Sequence, residues 1–380
     1  MGKNEHILVT GGAGFIGSHL VRLLRSEGHN VRILDALTSQ VHGAVPKDLG
    51  WLEESGVDVL RGSVTSRADW QRALEGIDIV VHLAAETGTG QSMYELEKYC
   101  TVNMVGTGIL FELLAGARGS GVKRVILSSS RSVYGEGAFS CTHCGFRGTP
   151  DPRPATQLQK HEWEPFCPSC KNHLQPVPTT ESDAIRPASI YAATKYAQED
   201  LVRISCEALN IGYSILRFQN VYGEGQSLQN PYTGILSIFS TKIRRGLELP
   251  IFEDGQETRD FVHVSDVVDA LYKSILAPST QRGIYNVGSG VGTSIEALAI
   301  AQCKAFGTEP KLKVTGQFRV GDIRHNVADL THIGADLGYK SKVSLEDGLR
   351  RFASWVLSQP LPEDRLAQAN QELIDRKLMG

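Results

Sequence analysis

Two residues that could carry acid–base chemistry, Tyr191 and Lys195, stand four positions apart in the chain. Residues i and i+4 share one face of a helix. A nearby ammonium favours a phenolate over a phenol, so this spacing predicts that Lys195 lowers the pKa of Tyr191 from its ordinary value of about 10. Tyr191 is therefore a candidate general base. Taken alone, the pattern also fits a solvated tyrosine beside a surface lysine.

A glycine-rich turn lies near the start of the chain, between a predicted strand at residues 6–10 and a predicted helix at residues 18–26. Gly12, Gly14 and Gly17 satisfy the G-x-G-x-x-G spacing. Such a turn lets the backbone approach a pyrophosphate that sits at the helix N-terminus. A tight turn without a ligand is the alternative.

Asp35 ends the second predicted strand and follows Gly17 by 18 positions. A carboxylate at this place accepts hydrogen bonds from the ribose hydroxyls of NAD and repels the 2′-phosphate of NADP. The sequence therefore predicts NAD as the cofactor.

Further motifs follow in order along nearly the whole chain. They lie at residues 10–17, 81–85, 103 with 106–107, 127–135, 191 with 195, 217–223, 259–264 and 321–322 with 324. With these motifs the chain resembles the extended short-chain dehydrogenase/reductase family, and within it the nucleotide-sugar 4-epimerases of the UDP-galactose 4-epimerase type.

The resemblance implies a set of residues that contact NAD. These are Gly11, Gly14, Phe15, Ile16, Gly17, Asp35, Ser63, Val64, Leu83, Ala84, Ala85, Asn103, Tyr191 and Lys195. Ser63 departs from the family pattern, which usually has an aspartate there to hold the adenine amine. A hydroxyl is a weaker acceptor, so this contact is weakened.

The residues after the strand-end serine distinguish between reactions. Related 4,6-dehydratases carry an Asp-Glu pair where this chain has Arg131 and Ser132, and related decarboxylases usually hold an acid at the second position. Without those carboxylates, elimination lacks its acid and base. The resemblance implies that Ser130 hydrogen-bonds the sugar O4 and helps Tyr191 take its proton while hydride passes from C4 to NAD⁺. The 4-keto sugar then turns over and takes the hydride back on its other face.

The implied substrate is a nucleotide-diphosphate sugar. Asn220, Arg259 and Arg324 match the family positions that hold the diphosphate, and guanidinium groups suit phosphate because they offer bidentate donors. A surface salt bridge is the alternative for each arginine. Glu86 and Thr87 follow a strand end and are candidates to face the sugar; an ordinary loop role is the alternative.

Four cysteines form two C-x-x-C pairs separated by 22 residues: Cys141, Cys144, Cys167 and Cys170. This spacing fits a tetrahedral zinc site, and four thiolates leave no open position, so the zinc would be structural. Paired redox thiols and unrelated thiols are the alternatives.

The cysteine pairs lie in an insertion. Ser130 and Tyr191 are 61 positions apart here, whereas the epimerase pattern separates them by about two dozen. Residues 138–178 therefore form an added segment beside the active-site mouth. The segment is rich in Pro, Gly, Cys and His, so we expect a small module that depends on its metal for folding.

Strands alternate with helices up to about residue 217, which is typical of a parallel sheet covered on both faces. We predict an α/β fold: a doubly wound parallel (Rossmann) sheet, a smaller α/β substrate lobe and a Cys₄ zinc-binding insertion. The predicted units are 1–137 (NAD-binding domain), 138–178 (insertion), 179–217 (NAD-binding domain, catalytic helix), 218–260 (substrate lobe), 261–287 (return to the sheet) and 288–380 (substrate lobe and C-terminal helix).

Composition narrows the possible partners. The 380 residues are 41% hydrophobic, enough for two lobes, and a net charge of −3 gives no electrostatic reason to expect nucleic acid. No apolar run approaches the roughly 18 residues of a membrane span, and no leader precedes the first strand, so we expect a cytoplasmic protein. Family members commonly dimerise through the helices that here carry Asn103 and Tyr191, which implies a homodimer.

The insertion, residues 229–234 and residues 251–255 together most resemble bacterial dTDP-L-rhamnose 4-epimerases, which interconvert dTDP-L-rhamnose and dTDP-6-deoxy-L-talose. A UDP-hexose or UDP-uronate 4-epimerase is the alternative within the class. A noncatalytic NAD-binding regulator that uses the insertion to bind a partner is the alternative outside it. The intact set of Ser130, Tyr191 and Lys195 argues against a regulator.

Overall fold

The computed structural model describes residues 5–42, 51, 56–116, 121–228, 234–319, 321–361, 364 and 366–376. The strands are β1 (His6–Thr10), β2 (Asn30–Asp35), β3 (Asp58–Arg61), β4 (Ile79–His82), β5 (Arg124–Ser130), β6 (Phe139–Ser140), β7 (Arg147–Gly148), β8 (Gln175–Pro176), β9 (Gly212–Phe218), β10 (Asn220–Tyr222), β11 (Leu249–Ile251), β12 (Thr258–His263), β13 (Arg282–Val287), β14 (Gly292–Ser294), β15 (Leu312–Val314) and β16 (His325–Asn326). The helices are α1 (Phe15–Ser26), α2 (Ser39–His42), α3 (Arg67–Ala73), α4 (Thr89–Ser92), α5 (Leu96–Tyr99), α6 (Gly106–Ala115), α7 (Ala155–Leu158), α8 (Ile190–Ala208), α9 (Ile235–Arg244), α10 (Val264–Leu276), α11 (Ile295–Ala305), α12 (Thr331–Leu337), α13 (Leu345–Ser358) and α14 (Leu366–Asp375).

Seven strands form a parallel sheet in the order β3-β2-β1-β4-β5-β9-β13. Its central strands are buried along nearly their whole length, as expected for a sheet covered on both faces. The order runs outward in both directions from β1, so the predicted doubly wound α/β fold is confirmed.

The two faces of this sheet build separate cores, because successive side chains of a strand point to opposite sides. Ile7 and Val9 pack with Leu20 of α1 on one face. Leu8 packs with Trp70 of α3 and with α6 and α8 on the other. The carboxyl ends of the strands, where Ser130 and Asp35 lie, are thereby held in a fixed frame.

The substrate lobe has its own smaller sheet, in which β10, β12 and β14 pair and β16 joins β12. Strands β11 and β15 form a separate parallel pair. Helices α9, α11 and α13 cover these strands through Phe239, Leu298 and Phe352. This lobe therefore has a hydrophobic core independent of the main sheet.

We call residues 138–178 the cysteine module. Its strand β6 pairs with both β7 and β8, and Phe139 and Leu174 pack with the cysteines in a small core. Because β6 opens the module and β8 closes it, the two ends of the module lie side by side.

One predicted boundary differs from the structure. Helix α1 begins at Phe15 rather than residue 18, because the chain turns into the helix directly at Gly14. Residues 229–233 of the stretch 229–234 lie outside the described residues. Among the helices that the structure describes, none is long and apolar enough to cross a membrane.

Candidate active site

Helix α8 places Tyr191 against the end of β5. Ser189 caps the helix by accepting a hydrogen bond from the Ala192 N–H, which fixes Tyr191 in the first turn. Ser130, the last residue of β5, lies beside the Tyr191 phenol. The structure thus brings together two residues that lie 61 positions apart in the chain.

The predicted effect of Lys195 on Tyr191 is wrong in this structure. Burial raises the pKa of the Tyr191 phenol above its ordinary value, while Ser130 and the charge of Arg131 act in the opposite direction. Burial also lowers the pKa of Lys195 to about 7. Removal from water disfavours the charged form of both groups, and sequence spacing alone does not reveal that effect.

His82 is a buried side chain near Lys195 that two threonine hydroxyls hold in place. Ring nitrogens of His82 lie 2.8 Å from the Thr10 Oγ1 and 3.0 Å from the Thr107 Oγ1. Burial, helped by the charge of Lys195, lowers the pKa of His82 to about 3. His82 is therefore a neutral structural side chain at physiological pH.

Asn103 ties the catalytic helix to the strand ends. Its Nδ2 donates to the Thr194 Oγ1 at 3.0 Å and to the Glu86 carbonyl oxygen at 3.2 Å, and its Oδ1 accepts from the Glu86 N–H at 2.8 Å. It lies in a π-helical stretch, Cys100–Val105, between α5 and α6. Such stretches often carry functional residues, because they redirect side chains.

The glycine-rich turn fits a dinucleotide. A Cβ on Gly17 would lie 2.2 Å from the Gly11 carbonyl oxygen, so only glycine allows the turn to pack against α1. The Asp35 carboxylate accepts hydrogen bonds from the N–H groups of Ala13 at 3.0 Å and Leu37 at 2.8 Å. A carboxylate thus stands at the end of β2, beside the turn, as a ribose contact requires.

The remaining predicted cofactor residues lie near that turn. Ala84 donates its N–H to the Thr10 Oγ1 at 3.2 Å, next to Gly11. The Ser63 hydroxyl lies 2.8 Å from the Thr65 Oγ1, while the Ser63 N–H donates to Asp69 at 2.9 Å. The cofactor residues brought to this edge of the sheet are Gly11, Gly14, Phe15, Ile16, Gly17, Asp35, Ser63, Val64, Leu83, Ala84 and Ala85.

A cavity extends from the catalytic residues into the substrate lobe. Its lining includes Arg131 and Ser189, which lie within two positions of Ser130 and Tyr191 in the chain, and the aromatic residues Phe239 and Phe252. Charged side chains also line it: Glu253, Glu257, Arg259, Arg319 and Asp322. The cavity therefore combines charged and aromatic side chains, which suits a nucleotide.

Two arginines that line the cavity have guanidinium N–H groups without a protein partner among the described residues. The sequence did not identify either arginine as a substrate contact. Arg131 donates its Nε to Asn220 at 3.1 Å, and its terminal amino groups have no other partner within the described residues. Arg319 lies over the Phe252 ring, and its buried Nε lacks a partner. Unpaired guanidinium donors that face a cavity favour an anionic ligand. The only signals in the sequence were the position of Arg131 next to Ser130 and that of Arg319 two residues before Gly321.

Arg259 also lines the cavity, but its donors are largely used. Its Nη1 and Nη2 donate to the carbonyl oxygens of Thr258, Arg324 and Ile323 at 2.6–3.0 Å, and its Nη2 to Asp322 at 3.1 Å. Arg259 therefore fixes residues 322–324 and adds positive charge to the cavity lining.

The structure does not bring Arg324 to the cavity, which conflicts with its predicted role as a diphosphate anchor. Its side chain is 1% exposed and is enclosed by carboxylates. Its donors reach Glu164 at 2.8 Å, Glu253 at 3.0 Å, and Asp254 at 2.7 and 2.9 Å. A guanidinium already paired in this way has no free donor fork for a phosphate.

The two predicted sugar contacts are held by local partners. The Glu86 carboxylate pairs with Lys98 at 3.2 Å, and the Thr87 carbonyl oxygen accepts from the Tyr99 hydroxyl at 2.7 Å. The neighbouring Thr89 and Gly90 line the cavity instead.

The four thiols of the cysteine module converge, as their spacing predicts. The Sγ atoms of Cys141, Cys144, Cys167 and Cys170 lie within 4.8 Å of one another. Two of the separations, Cys141 to Cys170 and Cys144 to Cys167, are 3.5 and 3.6 Å. Zn–S bonds of about 2.3 Å in a tetrahedron place sulfur atoms about 3.8 Å apart, so the four thiols fit a zinc ion.

Comparison with known proteins agrees with this geometry. The NAD dependent epimerase/dehydratase family matches residues 7–157 and 168–288. A dTDP-L-rhamnose 4-epimerase from Burkholderia thailandensis is 38% identical over 361 residues, covering 93% of this chain and 96% of the relative.

Two solved structures match over nearly their whole length. A UDP-glucose 4-epimerase from Thermotoga maritima, solved with UDP-glucose, gives a TM-score of 0.72 at 29% identity and covers 92% of this chain and 98% of that one. MoeE5, solved with UDP-glucuronic acid and NAD, gives 0.73 at 29% identity and covers 93% and 99%. The chain belongs to the NAD-dependent epimerase/dehydratase family, and within it to the epimerases, which are isomerases.

Proposed function

We propose that the protein is an NAD-dependent nucleotide-sugar 4-epimerase that inverts C4 through a transient 4-keto intermediate. The observation that carries the proposal is the close pair of Ser130 and Tyr191 beside a cavity that Arg131, Arg259 and Arg319 line. The pair supplies a proton acceptor for a sugar hydroxyl, and the cavity suits the nucleotide diphosphate that carries the sugar.

The proposed cofactor is NAD, held by the glycine-rich turn of residues 11–17, by Asp35 and by Lys195. When bound, NAD accepts and returns one hydride at C4 of the sugar. Tyr191 takes the proton of O4 as C4 is oxidised, and Ser130, which lies beside the phenol, orients that sugar hydroxyl by hydrogen-bonding it. The same proton returns to O4 when the keto group is reduced on its opposite face.

The diphosphate is proposed to lie between Arg131 and Arg319. Both residues line the cavity, and both have guanidinium donors without protein partners among the described residues. Asn220, which accepts from Arg131, would hold one of these anchors in place. The nucleobase would then pack near Phe252, the ring over which Arg319 lies.

For the sugar nucleotide we propose dTDP-L-rhamnose, interconverted with dTDP-6-deoxy-L-talose. The relative from Burkholderia thailandensis, which bears that activity in its name, supports this choice. UDP-hexose and UDP-uronate sugars form the second candidate, supported by the solved relatives that hold UDP-glucose and UDP-glucuronic acid. Purified protein assayed with each nucleotide sugar separates the two candidates.

The decisive test of the reaction is a substrate labelled with deuterium at C4. Because the proposed hydride returns to the carbon it left, the label should stay in the product and no net NADH should accumulate. Loss of the label to solvent would indicate proton abstraction and would overturn the hydride mechanism. An absence of turnover with every dTDP- and UDP-sugar would overturn the proposed function.

We propose that the cysteine module holds one structural Zn²⁺ through Cys141, Cys144, Cys167 and Cys170. The convergence of their thiols supports a closed site, in which the metal stabilises the module and takes no part in the reaction. Elemental analysis of freshly purified protein tests this assignment; protein without zinc would contradict it.

We also propose a homodimer that pairs α8 and the helical segment around Asn103 across a four-helix interface. Val105 and Ile204, large apolar residues of these two segments, are 53% and 56% exposed. Apolar side chains exposed on neighbouring helices favour contact with a second copy. A monomer mass by light scattering at micromolar concentration would contradict the dimer. A cytoplasmic location and the absence of nucleic-acid binding stay predictions.

A further inference from the structure

A buried ion pair joins the cysteine module to the wall of the substrate cavity. Arg153 of the module donates Nη1 and Nη2 to the two carboxylate oxygens of Glu253, each at 2.9 Å, and its Nε to Glu136 at 3.2 Å. The Arg153 side chain is 1% exposed. A bidentate guanidinium–carboxylate pair fixes orientation as well as distance. The module therefore sets the position of Glu253, which lines the cavity.

Glu253 needs such support. Its backbone has a φ of 48°, in the left-handed region that residues other than glycine seldom adopt. Conformations of this kind persist where the surroundings over-determine them. Here the carboxylate is held by Arg153 and also by Arg324 at 3.0 Å.

A second connection starts from Glu164 of the module. Its carboxylate accepts from the Arg324 Nε at 2.8 Å and lies 3.1 Å from the His325 Nε2. The carbonyl oxygen of Arg324 in turn accepts from the Arg259 Nη1 at 3.0 Å. Glu164 is thus linked to Arg259, a cavity residue, through one intervening residue.

The contacts of Arg153 also lead to Arg259. Arg153 donates its Nη2 to the Asp322 carbonyl oxygen at 3.2 Å, and the Asp322 carboxylate accepts from the Arg259 Nη2 at 3.1 Å. Within the described residues, no cysteine of the module lines the cavity. Arg153 and Glu164 thus connect the module to the cavity by polar contacts, and Trp163 of the module also packs against Phe318 in the cavity lining.

We propose that Arg153 and Glu164 are positioning residues, through which the metal-bound module holds the nucleotide-diphosphate part of the cavity in shape. The inference rests on the proposed function for the identity of its ligand. Ser130 and Tyr191 take no part in the network, so loss of either positioning residue weakens nucleotide binding and leaves the acid–base step largely unchanged. Metal bound at the cysteines thereby sets the affinity for the nucleotide at a distance.

The test compares Arg153→Met with Arg147→Met. Arg147 lies in the same module, but it pairs with Asp183 in a half-exposed salt bridge away from the cavity. For Arg153→Met we expect affinities for dTDP and UDP, measured by titration calorimetry, to fall by about tenfold or more. KM should rise in parallel, with kcat and the contents of zinc and NAD retained. Arg147→Met should match the wild-type protein, and Arg153→Lys should recover part of the affinity.

Glu164→Gln provides a second variant in case Arg153→Met does not fold, because it keeps the shape of the side chain. Glu162→Gln, at an exposed position of the same segment, is its control. Unchanged nucleotide affinity in either folded positioning variant would overturn the inference, as would a wild-type protein that binds neither dTDP nor UDP. Weaker nucleotide binding in the variants would support it, even if the wild-type protein epimerised no nucleotide sugar and the proposed function failed.

Discussion

The guanidinium of Arg131 lowers the pKa of the Tyr191 phenol, against a larger upward effect of burial. Arg131 stands where related dehydratases carry a carboxylate. A cation favours phenolate and a carboxylate would oppose it, so this position supports Tyr191 as a proton acceptor.

Arg131→Gln should therefore raise the pKa of Tyr191. Since the phenolate is the active base, the rise of kcat with pH should move to higher pH in the variant. The measurement is kcat at saturating substrate across the pH range, with NAD content checked at each pH. If kcat of the variant rose over the same pH range as kcat of the wild-type protein, Arg131 would not act on Tyr191.

Tyr191→Phe removes the base and keeps the ring. We expect turnover to fall by roughly 10²–10⁴-fold, the usual loss for general acid–base catalysis, while NAD stays bound. Tyr196→Phe, on the same helix, should retain activity. Wild-type turnover in a folded Tyr191→Phe variant would exclude Tyr191 as the base.

Much of the fold was predictable, because it depends on local patterns. Alternating strands and helices indicated the parallel sheet, and the glycine spacing indicated the turn before α1. The closeness of Ser130 and Tyr191 was also expected: Ser130 ends β5, and Tyr191 lies in the first turn of α8, the helix that packs against that strand. The predicted start of helix α1 was three residues too late, because Gly14 was assigned to the turn although it caps the helix.

The hydrogen-bonding partners of each arginine could not be predicted from the sequence. Arg324 is neutralised by Glu164 and Glu253, which lie 160 and 71 positions away in the chain. Arg131 and Arg319 keep free donors among the described residues, because the nearby Asp322 carboxylate accepts its hydrogen bonds from Arg259 and the Ile323 N–H instead. Sequence spacing identifies an arginine but not the partners that distant segments bring to it. The same holds for burial, which reversed the expected direction of the Tyr191 pKa.

His82 should make the protein sensitive to acid. Its pKa is lowered to about 3 in the folded state, so between about pH 6.5 and about pH 3 the unfolded chain binds a proton that the folded chain does not. Over that window the free energy of unfolding should fall as pH falls, by up to about 1.4 kcal/mol per pH unit from this group. Urea unfolding at several pH values measures the slope, and His82→Gln should reduce it. An equal slope in the variant would assign the acid sensitivity elsewhere.

Cys144→Ser should release zinc and loosen residues 138–178, because the module has little apolar core of its own. The main sheet, which has separate cores, should keep its fold and its NAD. Zinc content and hydrogen exchange across the module provide the measurement. Cys100→Ser, outside the cluster, is the control, and full zinc retention in Cys144→Ser would contradict the site.

Asp35→Asn should weaken the preference for NAD over NADP. The amide keeps an oxygen that can accept from Ala13 or Leu37, but it no longer repels a 2′-phosphate. We expect the ratio of the two dissociation constants to fall by about tenfold, measured on cofactor-free protein. Asp58→Asn, at the start of β3, is the control. A constant ratio would show that Asp35 does not discriminate between the cofactors.

The side-by-side ends of the cysteine module have a practical consequence. Phe139 pairs with Pro176, and the Val177 N–H donates to the Ala138 carbonyl oxygen at 3.0 Å, so a short turn could replace the intervening segment without moving β5 away from α8. A protein shortened in this way would keep Ser130 beside Tyr191 but would lose Arg153 and Glu164. The module is thus separable from the rest of the site: without it, Ser130, Tyr191 and Arg131 would stay in place, and the side chains proposed to hold the cavity in shape would be lost.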